Sequence, residues 1–261
     1  MNDVVLRNTI DPVTLEVLRN ALESVADEMG AVLKRTSFSP NIKERMDASC
    51  AIFDAEAQLV AQAEHVPVHL GSMLRAVRAT VDAAGGIDEG DVVIVNDPFT
   101  AGAHLPDITL IAPVHAPDGP NSRHIGYVAT RAHHADVGGM EPGSMPGKSR
   151  EIYQEGLIIP AVKLYRRGEL QNDVLRLIVA NVRTPVERRG DLNAQLAALR
   201  VGQQRLVELA QRHGADLVTA GFGAILDYAE RRMRRRLAEL PPGTYRGEDF
   251  LDDDGNTEGP V

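Results

Sequence analysis

The chain is short of cysteine, of net positive charge and of long apolar runs, and each shortage removes a class of protein. With Cys50 as its single cysteine, no intrachain disulfide can form, and neither a thiolate zinc site nor a disulfide-stapled secreted scaffold is supported. A formal net charge of −9 argues against sequence-independent nucleic-acid binding, which needs a basic surface to neutralise phosphates. No apolar run reaches the roughly 18 to 20 residues needed to cross a bilayer. The opening "MNDVVLRNTIDPVTLE" lacks the basic and apolar regions of a signal peptide. The expectation is a cytoplasmic protein with no membrane and no nucleic-acid partner. Internal repeats and low-complexity linkers are also missing, so 1–261 is read as one domain.

What is present is a core and a clear division of labour. An apolar share of 43% with 25% charged residues suits an ordinary globular domain. Asp11 and Pro12 read as an N-cap and first helical residue, followed by Leu15, Leu18, Leu22, Val25, Met29 and Val32 at helical spacing. "ASCAIFD" and "AQLVAQA" read as a hairpin, and "VHLGSMLRAVRATVDAAGG" as a helix stopped by Gly85 and Gly86. "DVVIVND", "ITLIAPV" and "HIGYVAT" are strand-like, and "LIIPAVKLYRRGEL" is a further strand and turn. Between them "ADVGGMEPGSMPGKSREIYQEG" reads as a long loop, of the kind that is often functional. From Asp173 onward the pattern is helical, with a break at Gly214 and a stop at Pro241-Pro242-Gly243. The fold expected is α+β, a mixed β-sheet core with flanking N-terminal and C-terminal helices. The tail "GEDFLDDDGNTEGPV" stops on a strand-and-turn pattern, as if part-way through a larger unit.

Chemistry concentrates at two strand ends. In "NDPFTAGAHLPDITLIAPV" a turn at "HLPD" can bring His104 and Asp107 together, and imidazole with carboxylate suits zinc, iron or manganese. A third ligand can come from His133 or His134 in "TRAHHADVGG", and Asp136 is a candidate partner for an imidazole. Two histidines and an aspartate with open positions suit a catalytic metal, whereas polar strand ends bonded to backbone are the plainer reading. His65 and His69 in "EHVPVHLG" share a face; a metal or substrate role is open to them, with a solvent-exposed or hydrogen-bonded pair the plainer reading.

Other features weigh less. "GSMPGKS" is one residue short of Walker A spacing and follows no strand, so it is rejected as an ATP site, and Lys148 is left to touch substrate or nothing. The run Arg231, Arg232, Arg234, Arg235, Arg236 reads as a solvated helix face ahead of a partner contact. Cys50 reads as a buried small residue, because no basic group stands near it in sequence. Ser37, Ser39 and Glu44 lie in a polar turn; Glu44 and Glu155 are weaker acid–base candidates, and no G-x-S-x-G elbow occurs.

Six separated stretches, "RTSFSPNIKERMDASCAIFD", "HVPVHLGSM", "NDPFTAGAHLPDI", "RAHHADVGG", "EIYQEGLIIP" and "NVRTPVERRGDLNAQ", together resemble the hydantoinase B/oxoprolinase family. The resemblance implies a subunit of an ATP-dependent cyclic-amide hydrolase, opening a hydantoin or 5-oxoproline. The partner it implies is an A-type subunit that binds ATP, in a hetero-oligomer. In the ketone carboxylases related to the family, a divalent metal is held by a His-x-x-Asp pair and a histidine from the following strand end. On this sequence those residues are His104, Asp107 and His133. His134 is not part of that set; it and Asp136 are read from their own chemistry as candidates for proton handler or support. Family members are longer than 261 residues, so the resemblance also implies an N-terminal portion. A carboxylase subunit, or a fragment that only docks on a partner, are the rival readings.

Overall fold

The computed structural model describes residues 10–63, 66, 68–100 and 103–250. Asp11 caps the first helix, α1 (Pro12–Thr36), its carboxylate accepting from the N–H groups of Val13 and Thr14. A short helix, α2 (Pro40–Lys43), leads into the hairpin β1 (Ala48–Asp54) and β2 (Leu59–Ala63). Helix α3 (Val68–Ala83) and strand β3 (Val92–Val95) follow, and then the long hairpin β4 (Asp107–Asp118) and β5 (Asn121–His133). Beyond a loop holding one 3-10 turn (Ile152–Gln154) come β6 (Val162–Arg166) and β7 (Glu169–Leu170). Helices α4 (Asn172–Ala180), α5 (Pro185–His213) and α6 (Ala215–Ala238) close the order.

Among the described residues the strands form one seven-stranded sheet in the order β2-β1-β5-β4-β3-β6-β7. The α+β class with flanking helices is as expected. Within it the strand directions are more uniform than the mixed sheet expected, since every pairing is antiparallel. The cause is the connections: β1–β2, β4–β5 and β6–β7 are hairpins, which only antiparallel strands allow. The β4–β5 arms also run longer than their apolar cores suggest. They stay paired out to Asp118 and Asn121, across the two-residue turn at Gly119 and Pro120.

Alternation along the strands divides the sheet into two faces. Ala48, Cys50, Ile52, Ile108, Leu110, Ala112, Val128 and Ala132 pack with α1, α5 and α6 in the main core. Ala51, Phe53, Val93, Ile111, Tyr127 and Ala129 pack on the other face against Met73 and Val77 of α3. Helix α5 begins at Pro185, six residues ahead of the leucine-rich run that announces it in sequence. Gly190 interrupts the apolar pattern there because the Phe38 ring lies where a Cβ would sit. The Arg231–Arg236 run lies on the exposed outer part of α6, where Arg234 pairs with Glu230 and Arg236 with Glu239. That agrees with a solvated face. No described helix is long and apolar enough to cross a membrane.

Strand β1 approaches β5 closely at Gly126, where an added Cβ would stand 2.1 Å from the Phe53 carbonyl oxygen. Relief requires moving backbone in the middle of the sheet. Gly126→Ala is expected to lower stability by about 1–3 kcal/mol, read as a shift in the urea midpoint.

Candidate metal centre

The centre forms where β4 begins and β5 ends. Asp107 and His133 are directly paired across the two strands, so their side chains leave the same face of the sheet. His104 stands ahead of β4 in a turn closed by the Asp107 N–H donating to the His104 carbonyl at 3.0 Å. That turn folds the imidazole back over the strand end. His104 Nε2 lies 3.1 Å from Asp107 Oδ1 and 3.1 Å from His133 Nδ1. His133 Nδ1 is 3.4 Å from the same oxygen. Two nitrogens and an oxygen therefore face a common point.

The spacing fits a cation. Bonds of 2.0–2.1 Å in a tetrahedral site place ligand atoms about 3.3 Å apart, against the 3.1 to 3.4 Å found. His104, Asp107 and His133 are the group able to hold a metal among the described residues. Asp107 is buried. Burial alone would raise its pKa, yet hydrogen bonds from His104, His133 and His69 hold it far below the ordinary carboxylate value. Asp107 is therefore a ready-made anion. The half-buried His104 is shifted upward, by its bond to Asp107 against the cost of burial, with further help from the charges of Asp47 and Glu155.

The adjacent histidine does a different job. His134 points to the opposite face, is fully buried, and lies 2.9 Å from Gln195 Oε1 on α5. The Gln195 amide nitrogen donates to the carbonyls of Ile108 and Thr130. Its oxygen is thus the atom turned to the ring, and His134 Nε2 carries the proton. Burial first, and then the nearby Arg188 charge, pull the His134 pKa down to about 4, so the ring is neutral. Asp136 is tied down as well. It accepts from the backbone N–H groups of Gly138, Thr184 and Arg183 and from the Arg183 guanidinium. Burial works against its charge, but those donors outweigh it and lower the pKa.

The remaining candidates scatter. Glu155 is half-buried and accepts from Ser149 Oγ at 3.1 Å. Glu44 is exposed at the end of α2. Lys148 lies in the long loop, Cys50 is buried within β1, and His65 falls outside the described residues. Ser37 and Ser39, expected to be exposed beside a turn, are instead buried at the junction of α1 and α2, where α5 packs over them through Asp191.

Three residues, Asp47, Asn96 and Ser49, gain importance that sequence reasoning did not assign, and His69, singled out with His65, gains a definite place. Asp47 Oδ2 lies 3.8 Å from His133 Nδ1, a second carboxylate within reach. Asn96 donates to the carbonyls of Leu105 and Leu157 and accepts from the Ile159 N–H, fixing the turn that carries His104. His69 and Ser49 back the other oxygen of Asp107, at 3.5 Å from His69 Nε2. For Asn96, the available signal is a buried-type amide directly after an apolar strand. For His69 it is only its place beside His65.

The family model for hydantoinase B/oxoprolinase matches residues 11–260. The chain belongs to the hydantoinase B/oxoprolinase family. It is 46% identical to an uncharacterised protein of Methanocaldococcus jannaschii, over 88% of this chain and 41% of that protein. It is 38% identical to caprolactamase subunit beta of Pseudomonas jessenii, over 95% of this chain and 42% of the relative. Likeness to 5-oxoprolinase of Dictyostelium discoideum is also 38%, over 95% of this chain but 20% of that longer enzyme. The crystal structure of the ATP-dependent caprolactamase from Pseudomonas jessenii superposes with a TM-score of 0.89, covering 96% of this chain and 43% of that one. A nucleotide-free acetone carboxylase structure, at 21% identity, shares the fold with a TM-score of 0.82 over 92% of this chain and 32% of its own. This family member thus spans about two-fifths of the length of the subunit-sized relatives, and less of the longer ones.

Asp136 offers a test of the loop behind the centre. Folding lowers its pKa, so its contribution is complete above the unfolded value of 3.8 and is lost as pH falls through the folded value. Asp136→Asn is expected to cost about 1–3 kcal/mol at pH 7. The gap to wild type should narrow below about pH 4, measured by urea unfolding across pH.

Proposed function

We propose that this chain is the metal-bearing part of an ATP-dependent cyclic-amide hydrolase, opening the ring of a hydantoin, of 5-oxoproline or of a related lactam. The observation that carries this reading is the convergence of His104 Nε2, Asp107 Oδ1 and His133 Nδ1 in a chain of the hydantoinase B/oxoprolinase family. The names of its relatives, caprolactamase subunit beta and 5-oxoprolinase, support the substrate class. Zinc, manganese or iron each suit the donor set. When bound, such a cation polarises a carbonyl or lowers the pKa of a water.

The protein residues divide the remaining work. His104, Asp107 and His133 hold the cation, and Asn96 keeps the His104 turn in place. Glu155, half-buried and close enough to raise the His104 pKa, is the acid–base candidate that can take a proton from water and return it to the ring nitrogen. Glu44, exposed at the end of α2, is the lesser candidate for that proton. His134 and Asp136 act as supports: one fixes the strand end to α5, the other fixes the loop. Water adds its oxygen to the amide carbon, the C–N bond breaks, and the nitrogen leaves protonated.

ATP is assigned to an A-type partner subunit in a hetero-oligomer. The stretch from Gly143 to Ser149 lies in an irregular loop and opens no helix, so it lacks the strand-to-helix form that cradles phosphate. The word "subunit" in the caprolactamase relative's name supports an assembly.

The test combines metal analysis with turnover. The chain, purified with an A-type partner, is expected to hold a divalent metal and to hydrolyse hydantoin, 5-oxoproline or caprolactam in an ATP-dependent way. His104→Ala should remove the metal and lower turnover at least ~100-fold. Activity that requires bicarbonate and a ketone would move the assignment to a carboxylase subunit. A complex equally active without this chain would reduce it to a docking piece. A metal-free complex with fully active His104→Ala would sink the reading.

A further inference from the structure

We infer that His69, backed by Ser49, locks Asp107 as a one-oxygen ligand and so keeps a coordination position of the centre open for substrate. The inference rests on the metal reading above and concerns residues outside the ligand set. His69 lies in the first turn of α3, is 1% exposed, and faces the sheet. Its Nδ1 is 2.9 Å from Ser49 Oγ on β1, and its Nε2 is 3.5 Å from Asp107 Oδ2.

The role of Nε2 follows from its partner. An ionised carboxylate only accepts, so Nε2 is the nitrogen that presents a hydrogen to Asp107, while Nδ1 meets the Ser49 hydroxyl, a group able to donate or accept. Ser49 holds the Nδ1 end, and Nε2, buried and without a full hydrogen bond, faces Asp107 Oδ2 at 3.5 Å. The Asp107 oxygens are thereby divided: Oδ1 stands 3.1 and 3.4 Å from the two ligand imidazoles, and Oδ2 is turned to His69.

That division has a chemical result. A carboxylate free to turn about its Cβ–Cγ bond can offer both oxygens to a cation and fill two positions. Three protein ligands giving one atom each leave a fourth position for water or substrate. The segment carrying His69 is braced a second time, because Arg131 donates to Ser72 on the same helix at 2.5 Å and to Thr109 on β4 at 2.9 Å. The donor is thus fixed relative to the strand that bears Asp107.

Cobalt(II) reports coordination number through its visible absorption, independently of turnover. The 261-residue chain is titrated with Co²⁺ as wild type, His69→Ala, His69→Gln and Ser49→Ala. In His69→Ala the visible bands should weaken and shift as Asp107 turns both oxygens to the ion. Affinity should fall about tenfold. His69→Gln retains an N–H donor for Oδ2 and should recover most of the wild-type spectrum. Ser49→Ala should shift the bands in the same sense but less, and keeps the test alive if His69→Ala does not fold. Four superimposable spectra with affinities within about twofold would overturn the inference, as would a glutamine variant no better than alanine. If wild type takes up no Co²⁺, the metal reading itself fails, a result distinct from the others.

Discussion

The register of one strand pair governs this site. Asp107 lies opposite His133 on β4 and β5, and a slip of one residue would send their side chains to opposite faces. Along the same face run Thr109 on β4, Arg131 on β5 and Ser49 on β1, with Ser49 directly opposite Arg131. Helix α3 covers this polar strip with His69 and Ser72. A buried arginine, a buried aspartate and a buried histidine would each be costly alone. Arg131 donates to Thr109 and Ser72, and Asp107 draws on the imidazoles around it, although His69 Nε2 makes no full hydrogen bond, and the strip ends at the cluster of His104, Asp107 and His133.

Much of the framework is legible in the sequence. Period-two runs locate the strands, period-3.6 runs locate α1, α3 and α5, and the proline-containing turn at His104 explains how residues three apart can meet. The choice between His133 and His134 is different. Counting back from the Gly119–Pro120 turn with unbroken pairing sets Asp107 opposite Ala132. A register shift between Val114 and His115 moves the pairing by one and brings His133 opposite instead. Nothing in "APVHAPDG" announces that shift. The histidine named by the family resemblance is also the one that the bulged register delivers. His69 was hidden for another reason: its contact with Asp107 spans 38 positions and depends on how α3 crosses the sheet.

The opposite face explains the second histidine. Gln195 is a polar residue in the middle of α5, packed where an apolar one would serve the core better. It bridges His134 and two strand carbonyls, so the same turn of α5 that presses on the sheet also fixes its end. One turn earlier, Asp191 accepts from the N–H groups of Phe38 and Ser39 and pairs with the buried Arg188. Helix α5 therefore ties the strand bearing His133 to the segment that precedes β1. These bonds offset part of the cost of burial, while His134 Nδ1, Arg188 Nε and Nη1 and Asp191 Oδ2 are left without a hydrogen-bond partner. What the fold obtains is a strand end that cannot drift relative to its neighbours.

This separation of a braced cradle from an irregular rim bears on chemistry. The cradle is strand and helix, held from both faces. The rim is the turn from Asp97 to Thr100 and the loop from 135 to 156, where Phe99, Met140, Met145 and Tyr153 are exposed. Loops on a fixed scaffold can change without disturbing the groups they surround. A cradle that held a metal, as proposed, would favour no single substrate, since polarising a carbonyl serves ring opening and carbon–carbon bond formation alike. The fold is shared with an acetone carboxylase structure at 21% identity and with a caprolactamase structure at 38%. A shared fold of this kind is what a rigid scaffold with replaceable loops permits. On the proposed reading, selection among carbonyl compounds would belong to the rim residues, and the strand register would serve the metal.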